Sequence, residues 1–261
     1  MIRLRTDFFA ESLGMGTSMV VLMPQAASGI GMEGADAPGT GTSVDGPAVP
    51  VLYLLHGLSD DCTIWERRTS IERYATEKGI AVVMPEVRRS FYTDEAVGEA
   101  YWTFVAEELP QLVAGTFRVS TAREDTFVAG LSMGGFGAFK LALNHPERFA
   151  AAASLSGAVD LTSMDLDWTG TLAQRVWDGR EIAGTADDLL GLLGRRDPAE
   201  LPALFLDCGT EDQLITQNER FLAAAEDAGV DVTSRLRPGA HTWDFWDEGV
   251  QDVLDWLPIR G

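Results

Sequence analysis

Basic residues are scarce in this chain: 20 Lys and Arg stand against 40 Asp and Glu, a formal charge of −20 over 261 residues. Binding a polyphosphate backbone requires a basic face, so nucleic acid is excluded as a partner and an anionic membrane surface is repelled. Cysteine is scarcer still. Cys62 and Cys208 are the two present, too far apart to read as a disulfide framework or a metal cluster, and they are expected as reduced, partly buried thiols. No apolar run approaches the length of about 18 residues that a membrane-spanning helix needs. The opening Met1-Ile2-Arg3-Leu4-Arg5-Thr6-Asp7 has no apolar stretch of signal-peptide length behind it, so a cytoplasmic location is the expectation. Histidine is limited to three positions, His56, His145 and His241, which makes any search for a general base short.

Hydrophobic residues make up 46% of the chain, ample for one sizeable core. Two β-rich segments, Leu4 to Phe9 and Ser18 to Met23, predict an antiparallel start. From Gln25 to Pro47 the sequence is dominated by Ala, Gly, Ser, Thr and Asp, which cannot bury enough surface to order itself; residues 25–47 are expected as a flexible hairpin loop. Beyond Pro50, short apolar strands alternate with helices. Strands are expected at Val51–Leu55, Ile80–Met84, Thr126–Ala129, Ala150–Leu155, Ala203–Leu206 and Val230–Leu236. Helices are expected at Ile64–Lys78, Ala100–Ala114 and Thr242–Leu257. This alternation predicts an α/β fold with a mostly parallel central sheet and helices on both faces, as one domain over residues 1–261. A polar, Gly-containing stretch with Trp168, Trp177 and the helix candidate Leu189-Leu190-Gly191-Leu192-Leu193 interrupts it. Residues 157–200 are therefore expected as an insertion over the strand ends, where substrates bind in such sheets.

The most specific motif is Gly130-Leu131-Ser132-Met133-Gly134-Gly135, lying between a predicted strand and a predicted helix. Gly-x-Ser-x-Gly in that context is a nucleophile elbow, with glycines where a side chain would strike neighbouring backbone. The serine is lifted to the positive end of the following helix. A serine hydroxyl is a weak nucleophile at neutral pH and needs a histidine base oriented by a carboxylate. His145 lies thirteen positions beyond Ser132 on or past the same helix; at about 1.5 Å per residue it is roughly 20 Å away. His56 precedes the nucleophile, against the chain order of nucleophile, acid, histidine in this arrangement. His241, in a turn after the last strand, remains as the base. The acid is expected in the loop after Leu204-Phe205-Leu206, which offers Asp207, Glu211 and Asp212. Asp212, furthest along the loop, is the choice, with Asp207 and Glu211 solvated or structural. Backbone N–H groups of Met133 and of Leu58, in His56-Gly57-Leu58-Ser59, are expected to form the oxyanion hole. His56 then orders its loop, and it has no partner at metal-ligand spacing.

With these blocks in place the chain resembles the esterase D family of α/β-hydrolases, most of all the bacterial tributyrin esterase type. The resemblance rests on Leu52-Tyr53-Leu54-Leu55-His56-Gly57-Leu58-Ser59 with Trp65, Phe91-Tyr92-Thr93-Asp94, Glu107-Glu108-Leu109-Pro110, Gly130 to Gly135, Cys208-Gly209-x-x-Asp212 and Gly239-Ala240-His241-x-Trp243-x-x-Trp246. It implies the α/β-hydrolase fold, a triad of Ser132, Asp212 and His241, and an oxyanion hole of Leu58 and Met133. It also implies hydrolysis of short-chain acyl or aryl esters through an acyl-enzyme, without cofactor or metal and with a small-molecule ester as partner. Feruloyl esters and S-formylglutathione are the alternative substrates. The Phe-Tyr-Thr-Asp block is also similar to mycolyltransferases, so acyl transfer by the same triad is the alternative reaction. A homo-oligomer is a family-level expectation. Trp65, Tyr92, Trp102, Trp243 and Trp246 are candidates for an apolar acyl or aryl pocket.

Overall fold

The computed structural model describes residues 1–25, 48–164 and 170–260. Apart from Gln25, the expected loop at 25–47 lies outside the described residues, as does Trp168. The chain opens with β1 (Ile2–Ala10) and β2 (Met15–Met23), an antiparallel pair turned at Gly14, whose φ of 62° favours glycine. Strands β3 (Val51–Leu55), β4 (Ala81–Pro85), β5 (Thr126–Leu131), β6 (Ala151–Leu155), β7 (Ala203–Gly209) and β8 (Val232–Arg237) follow. The eight strands form one sheet in the order β1-β2-β4-β3-β5-β6-β7-β8. It is parallel from β4 to β8 and antiparallel where β2 meets β4.

The helices are α1 (Ile64–Arg68), α2 (Ile71–Lys78), α3 (Tyr101–Thr103), α4 (Leu109–Thr116), α5 (Met133–Asn144), α6 (Thr171–Val176), α7 (Leu189–Leu193), α8 (Ile215–Asp227) and α9 (Trp243–Trp256). Alternation along the strands builds a core on each face of the sheet. Val51, Tyr53 and Leu55 face one core with Phe136 and Phe139 of α5, whereas Leu52 and Leu54 face the other with Tyr74 of α2 and Val250 of α9. No helix among the described residues is long and apolar enough to cross a membrane.

Three departures from the expected elements have local causes. The helix expected over Ile64–Lys78 breaks in two at Thr69, whose N–H and hydroxyl both donate to Trp65 O, at 3.0 and 2.6 Å, while its Oγ1 accepts the Ile71 amide. The run expected over Ala100–Ala114 contains a π-helical turn, Phe104–Glu108. Pro110 has no N–H for the Ala106 carbonyl, and the Arg148 guanidinium donates to that carbonyl instead. Helix α8 was not anticipated, because its buried face is narrow and partly polar: Asn218, Phe221 and Ala225.

The described residues of the stretch expected as an insertion, 157–164 and 170–200, are packed against the body of the fold. Leu172, Val176, Trp177, Leu189, Leu192 and Leu193 are buried in the same core as α5. Buried Asp187 pairs with Lys140 of α5 at 2.6 Å and accepts from Trp177 Nε1 at 3.0 Å. Burial pulls the Lys140 ammonium below its ordinary value, against the opposing charge of Asp187.

Candidate active site

β5 is central in the sheet, and the chain turns sharply into α5 at its carboxyl end. Ser132, on that turn, adopts φ 53° and ψ −117°, a backbone conformation that costs about 1–3 kcal/mol outside glycine. The turn is over-determined. The Ser132 amide donates to Leu155 O on β6 at 2.9 Å, and its carbonyl accepts from Phe136 and Ala158, both at 3.1 Å. A Cβ on Gly130 would strike the Gly134 carbonyl, and one on Gly134 would strike Leu55 O. The glycines of the motif are thus required by the close approach of α5 to β3 and β5.

His241 follows β8, and Asp212 follows β7. The two loop tips press together: a Cβ on Gly209 would collide with the Gly239 carbonyl, and the Gly239 carbonyl accepts from the Glu211 amide at 2.9 Å. His241 Nδ1 lies 2.8 Å from Asp212 Oδ2 and 3.0 Å from Oδ1, while Nε2 lies 3.0 Å from Ser132 Oγ. Facing a buried carboxylate, Nδ1 carries the ring proton and leaves Nε2 to accept from the serine hydroxyl. Burial raises the Asp212 carboxyl, but hydrogen bonds from His241, the Leu214 amide and Ser156 outweigh it and hold the group below its ordinary value.

The other acids and histidines are engaged elsewhere. Asp207 has no exposed surface and is bound by Arg237. Glu211 accepts from the Gly239 amide and from Thr210 Oγ1. His145 caps the far end of α5 and stacks on Trp102, with ring centroids 5.6 Å apart. His56 is buried, with Nδ1 2.8 Å from Gly57 O and Nε2 accepting the Val87 amide at 3.1 Å. It orders the loop that carries Leu58. Met133 is the first residue of α5, so the two proposed oxyanion donors flank the β3 and β5 ends.

The five aromatic candidates separate. Trp246 is buried edge-on against the His241 ring at 4.7 Å, and half-buried Trp243 packs edge-on against Trp246 at 5.2 Å. Trp65 packs in turn on Trp243 at 5.5 Å but has no exposed surface, its Nε1 donating to Leu55 O at 3.1 Å. Tyr92, also without exposed surface, donates its hydroxyl to His56 O at 3.0 Å and so braces the Leu58 loop. Trp102 lies under the Lys140 ammonium, 4.3 Å from its centroid, beside His145. The structure therefore brings Trp243 and Trp246 to the histidine, places Trp65 and Tyr92 in packing positions, and puts Trp102 at the opposite end of α5. An open cavity of about 470 Å³ adjoins the acid's loop, lined by Met164, Gln213, Leu214 and Gln217 among others. Among the described residues, no group of three His, Cys, Asp or Glu side chains is placed to hold a metal.

Ser156 is the site residue that sequence reasoning missed. It follows β6 directly, at φ 49°, and its Oγ accepts from Trp246 Nε1 at 3.1 Å. Ser-Gly after an apolar strand is an ordinary turn signal, and nothing else in the sequence singles it out.

Comparison with known proteins gives one consistent picture. A family model described as "Putative esterase" matches residues 43–257. The chain is 26% identical to an acetyl esterase of Caldicellulosiruptor saccharolyticus over 97% of each chain. It superposes on FphF, a fluorophosphonate-binding serine hydrolase of Staphylococcus aureus, with a TM-score of 0.87 and 31% identity, covering 100% of this chain and 99% of that one. An S-formylglutathione hydrolase of the same organism superposes with a TM-score of 0.81 and 29% identity, covering 98% of each.

Proposed function

The chain belongs to the esterase family, has the α/β-hydrolase fold and is a serine hydrolase of carboxylic esters; on that premise we propose that Ser132, His241 and Asp212 transfer the acyl group of short-chain acyl or aryl esters, as in the tributyrin esterase type, to water. The observation that carries this reading is the unbroken line from Asp212 Oδ2 through His241 to Ser132 Oγ, with steps of 2.8 and 3.0 Å. Residues 1–261 act in it as one domain, since both cores are built on the same sheet.

Ser132 Oγ attacks the ester carbonyl as His241 Nε2 takes its proton. Asp212 holds the ring in the tautomer that leaves Nε2 free and stabilises the imidazolium that forms. The developing alkoxide is received by the Leu58 and Met133 amides, a charge also favoured at the positive end of α5. His241 returns the proton to the departing alcohol, and water repeats the sequence on the acyl-enzyme. The apolar edge formed by Trp243 and Trp246 suits an uncharged acyl or aryl group, and the acetyl esterase relative agrees with a short acyl chain.

Ser132→Ala tests the reaction. Hydrolysis of an aryl butyrate should fall by at least about a thousandfold, with unchanged circular dichroism and no labelling by an organophosphonate probe. Near-normal turnover by that variant overturns the reading. A panel of acetyl, butyryl and feruloyl esters with S-formylglutathione ranks the substrates, and added alcohol acceptor measures transfer against hydrolysis.

A further inference from the structure

We propose that the buried ion pair of Lys140 and Asp187 positions the oxyanion hole, acting through Tyr92 on the peptide that carries the Leu58 amide. The inference rests on the catalytic reading above and deepens it, since it names what aims one of the two amides. Lys140 lies eight positions beyond Ser132 along α5. At about 1.5 Å per residue that is roughly 12 Å from the reacting serine, so the lysine acts through other residues. Its Nζ lies 2.6 Å from Asp187 Oδ1 and donates to Tyr92 O at 2.7 Å and to Thr93 Oγ1 at 3.0 Å, which uses all three of its protons. The Trp102 and Phe136 rings cover the ammonium at 4.3 and 5.9 Å, and Trp177 Nε1 holds the far oxygen of Asp187 at 3.0 Å. A buried ion pair generally gives no more stability than apolar residues of the same volume. What lysine adds here is a pair of donors for the loop at 91–93.

That loop needs to be held. Phe91 and Tyr92 both adopt φ 51°, a left-handed conformation that costs energy outside glycine and persists only where the surroundings impose it. Helix α5 imposes it from two positions. Lys140 fixes the Tyr92 carbonyl, and one turn earlier Gly137 leaves room for the Tyr92 ring, which a Cβ there would meet at 2.5 Å. With its backbone and ring both set by α5, Tyr92 donates its hydroxyl to His56 O at 3.0 Å.

The last step is a matter of peptide geometry. A trans peptide directs its C=O and N–H to opposite sides. On one side of Gly57, Tyr92 holds the His56 carbonyl and Asp60 Oδ2 accepts the Gly57 amide at 3.2 Å. On the other, the Gly57 carbonyl accepts from His56 Nδ1 at 2.8 Å and from the Asp60 amide at 3.3 Å. The Leu58 N–H belongs to that second peptide and points away from the held carbonyl, with no acceptor among the described residues. Asp187 to Lys140 to Tyr92 to the His56-Gly57-Leu58 turn is thus a continuous series of hydrogen bonds, and it ties the 170–200 stretch to a donor of the oxyanion hole.

The experiment compares Tyr92→Phe, the neutral pair variant Lys140→Met with Asp187→Asn, the two combined, and Trp102→Ala on an aryl butyrate, below the melting temperature of every variant and with active sites counted by organophosphonate titration. The pair variant leaves no buried charge unpaired but removes the donor to Tyr92 O. Tyr92→Phe and the pair variant should each lower kcat per titrated site by about ten- to a hundredfold with KM within about twofold, because an oxyanion donor acts in the transition state. Combining them should cost less than about threefold beyond the slower one, because both act on the same amide. Trp102→Ala loosens the same neighbourhood yet keeps the bonds of Lys140, so it should melt lower and retain kcat per site. Asp187→Asn alone, isosteric and still bonded to Trp177, carries the comparison if the pair variant does not fold, and it too should be slow at unchanged KM. Wild-type kcat in Tyr92→Phe, in the pair variant or in Asp187→Asn, losses that multiply on combination, or an equal loss in Trp102→Ala would overturn the inference. If the wild-type protein itself fails to react with the probe, the esterase mechanism fails instead, so the two are told apart.

Discussion

Arg237, at the end of β8, reaches across to Asp207 on β7, placing Nη2 3.0 Å from Oδ2 and Nε 3.2 Å from both carboxylate oxygens. The same guanidinium lies 3.8 Å above the Phe245 ring and donates to Phe245 O and Glu248. Burial still raises the Asp207 carboxyl above its ordinary value, against the pull of Arg237. Asp207 and Asp212 therefore do different work five residues apart: one ties β7, β8 and α9 together beneath the site, and the other faces His241.

Separating those two tasks is the first prediction. Arg237→Ala leaves a buried carboxylate without its partner and should lower stability by about 3 kcal/mol, read as a fall in the urea midpoint. Asp212→Asn should lower kcat by about a thousandfold or more through loss of the correct imidazole tautomer. An unchanged urea midpoint in Arg237→Ala would remove the structural role assigned to the ion pair.

Gly134 and Gly115 should respond oppositely to alanine. A Cβ at Gly134 would meet the carbonyls of Leu55 and His56 at the end of β3, backbone atoms that cannot swing aside. Gly134→Ala should cost about 2 kcal/mol or more and displace Ser132, lowering activity. Gly115 lies within α4 with nothing near its missing Cβ, so Gly115→Ala should add about 0.5–1 kcal/mol without altering turnover. Thermal melts with an esterase assay on both variants decide it.

Trp102→Ala should leave kcat/KM within about twofold of wild type while lowering the melting temperature, because its indole packs on Lys140 and His145 and lies far from Ser132. A selective loss of aryl-ester activity would instead place that ring in the substrate's path.

Asp160 sets an acid-side stability limit. Burial raises its carboxyl, but Ser163, Thr162 and Arg220 hydrogen-bond the charged form and bring it below its ordinary value. A group depressed by folding stabilises above its unfolded value of about 3.9, and that stabilisation is lost as pH falls through the lower folded value. Wild type should exceed Asp160→Asn in urea midpoint at pH 7, with a gap that narrows below about pH 4. A gap that widens on acidification contradicts this sign.

The net charge of −20 leads to a last expectation. The proposed mechanism uses one carboxylate, Asp212, so the excess acts only as a field, repelling anionic substrates at low salt. A neutral ester should show a higher kcat/KM than its anionic analogue, with a ratio that shrinks as salt is added.

Much of this was legible from local signals. Segments rich in apolar or β-branched residues marked all eight strands, most plainly where a strand is buried on both faces, as in Val51-Leu52-Tyr53-Leu54-Leu55. The elbow was legible because its glycines are imposed by steric contacts two residues from Ser132. With three histidines, elimination pointed to His241, whose Nε2 lies 3.0 Å from Ser132 Oγ. Elements governed by a hydroxyl or a missing N–H were harder: Thr69 breaks a helix whose periodicity runs on, and Pro110 shifts one into a π turn.

Side-chain partners lay beyond that reach. Asp207 and Asp212 are both aspartates near the end of one strand, and only the position of Arg237 on a neighbouring strand commits the first to the framework. Five aromatic residues looked alike as pocket walls until packing put Trp243 and Trp246 beside His241 and carried Trp102 to the other end of α5. Ser156 is an ordinary turn serine in the chain and a neighbour of the triad in space. Periodicity and steric turn rules act over a few residues and are written locally; which buried polar group meets which is settled by strand order, and so appears only when the sheet is assembled.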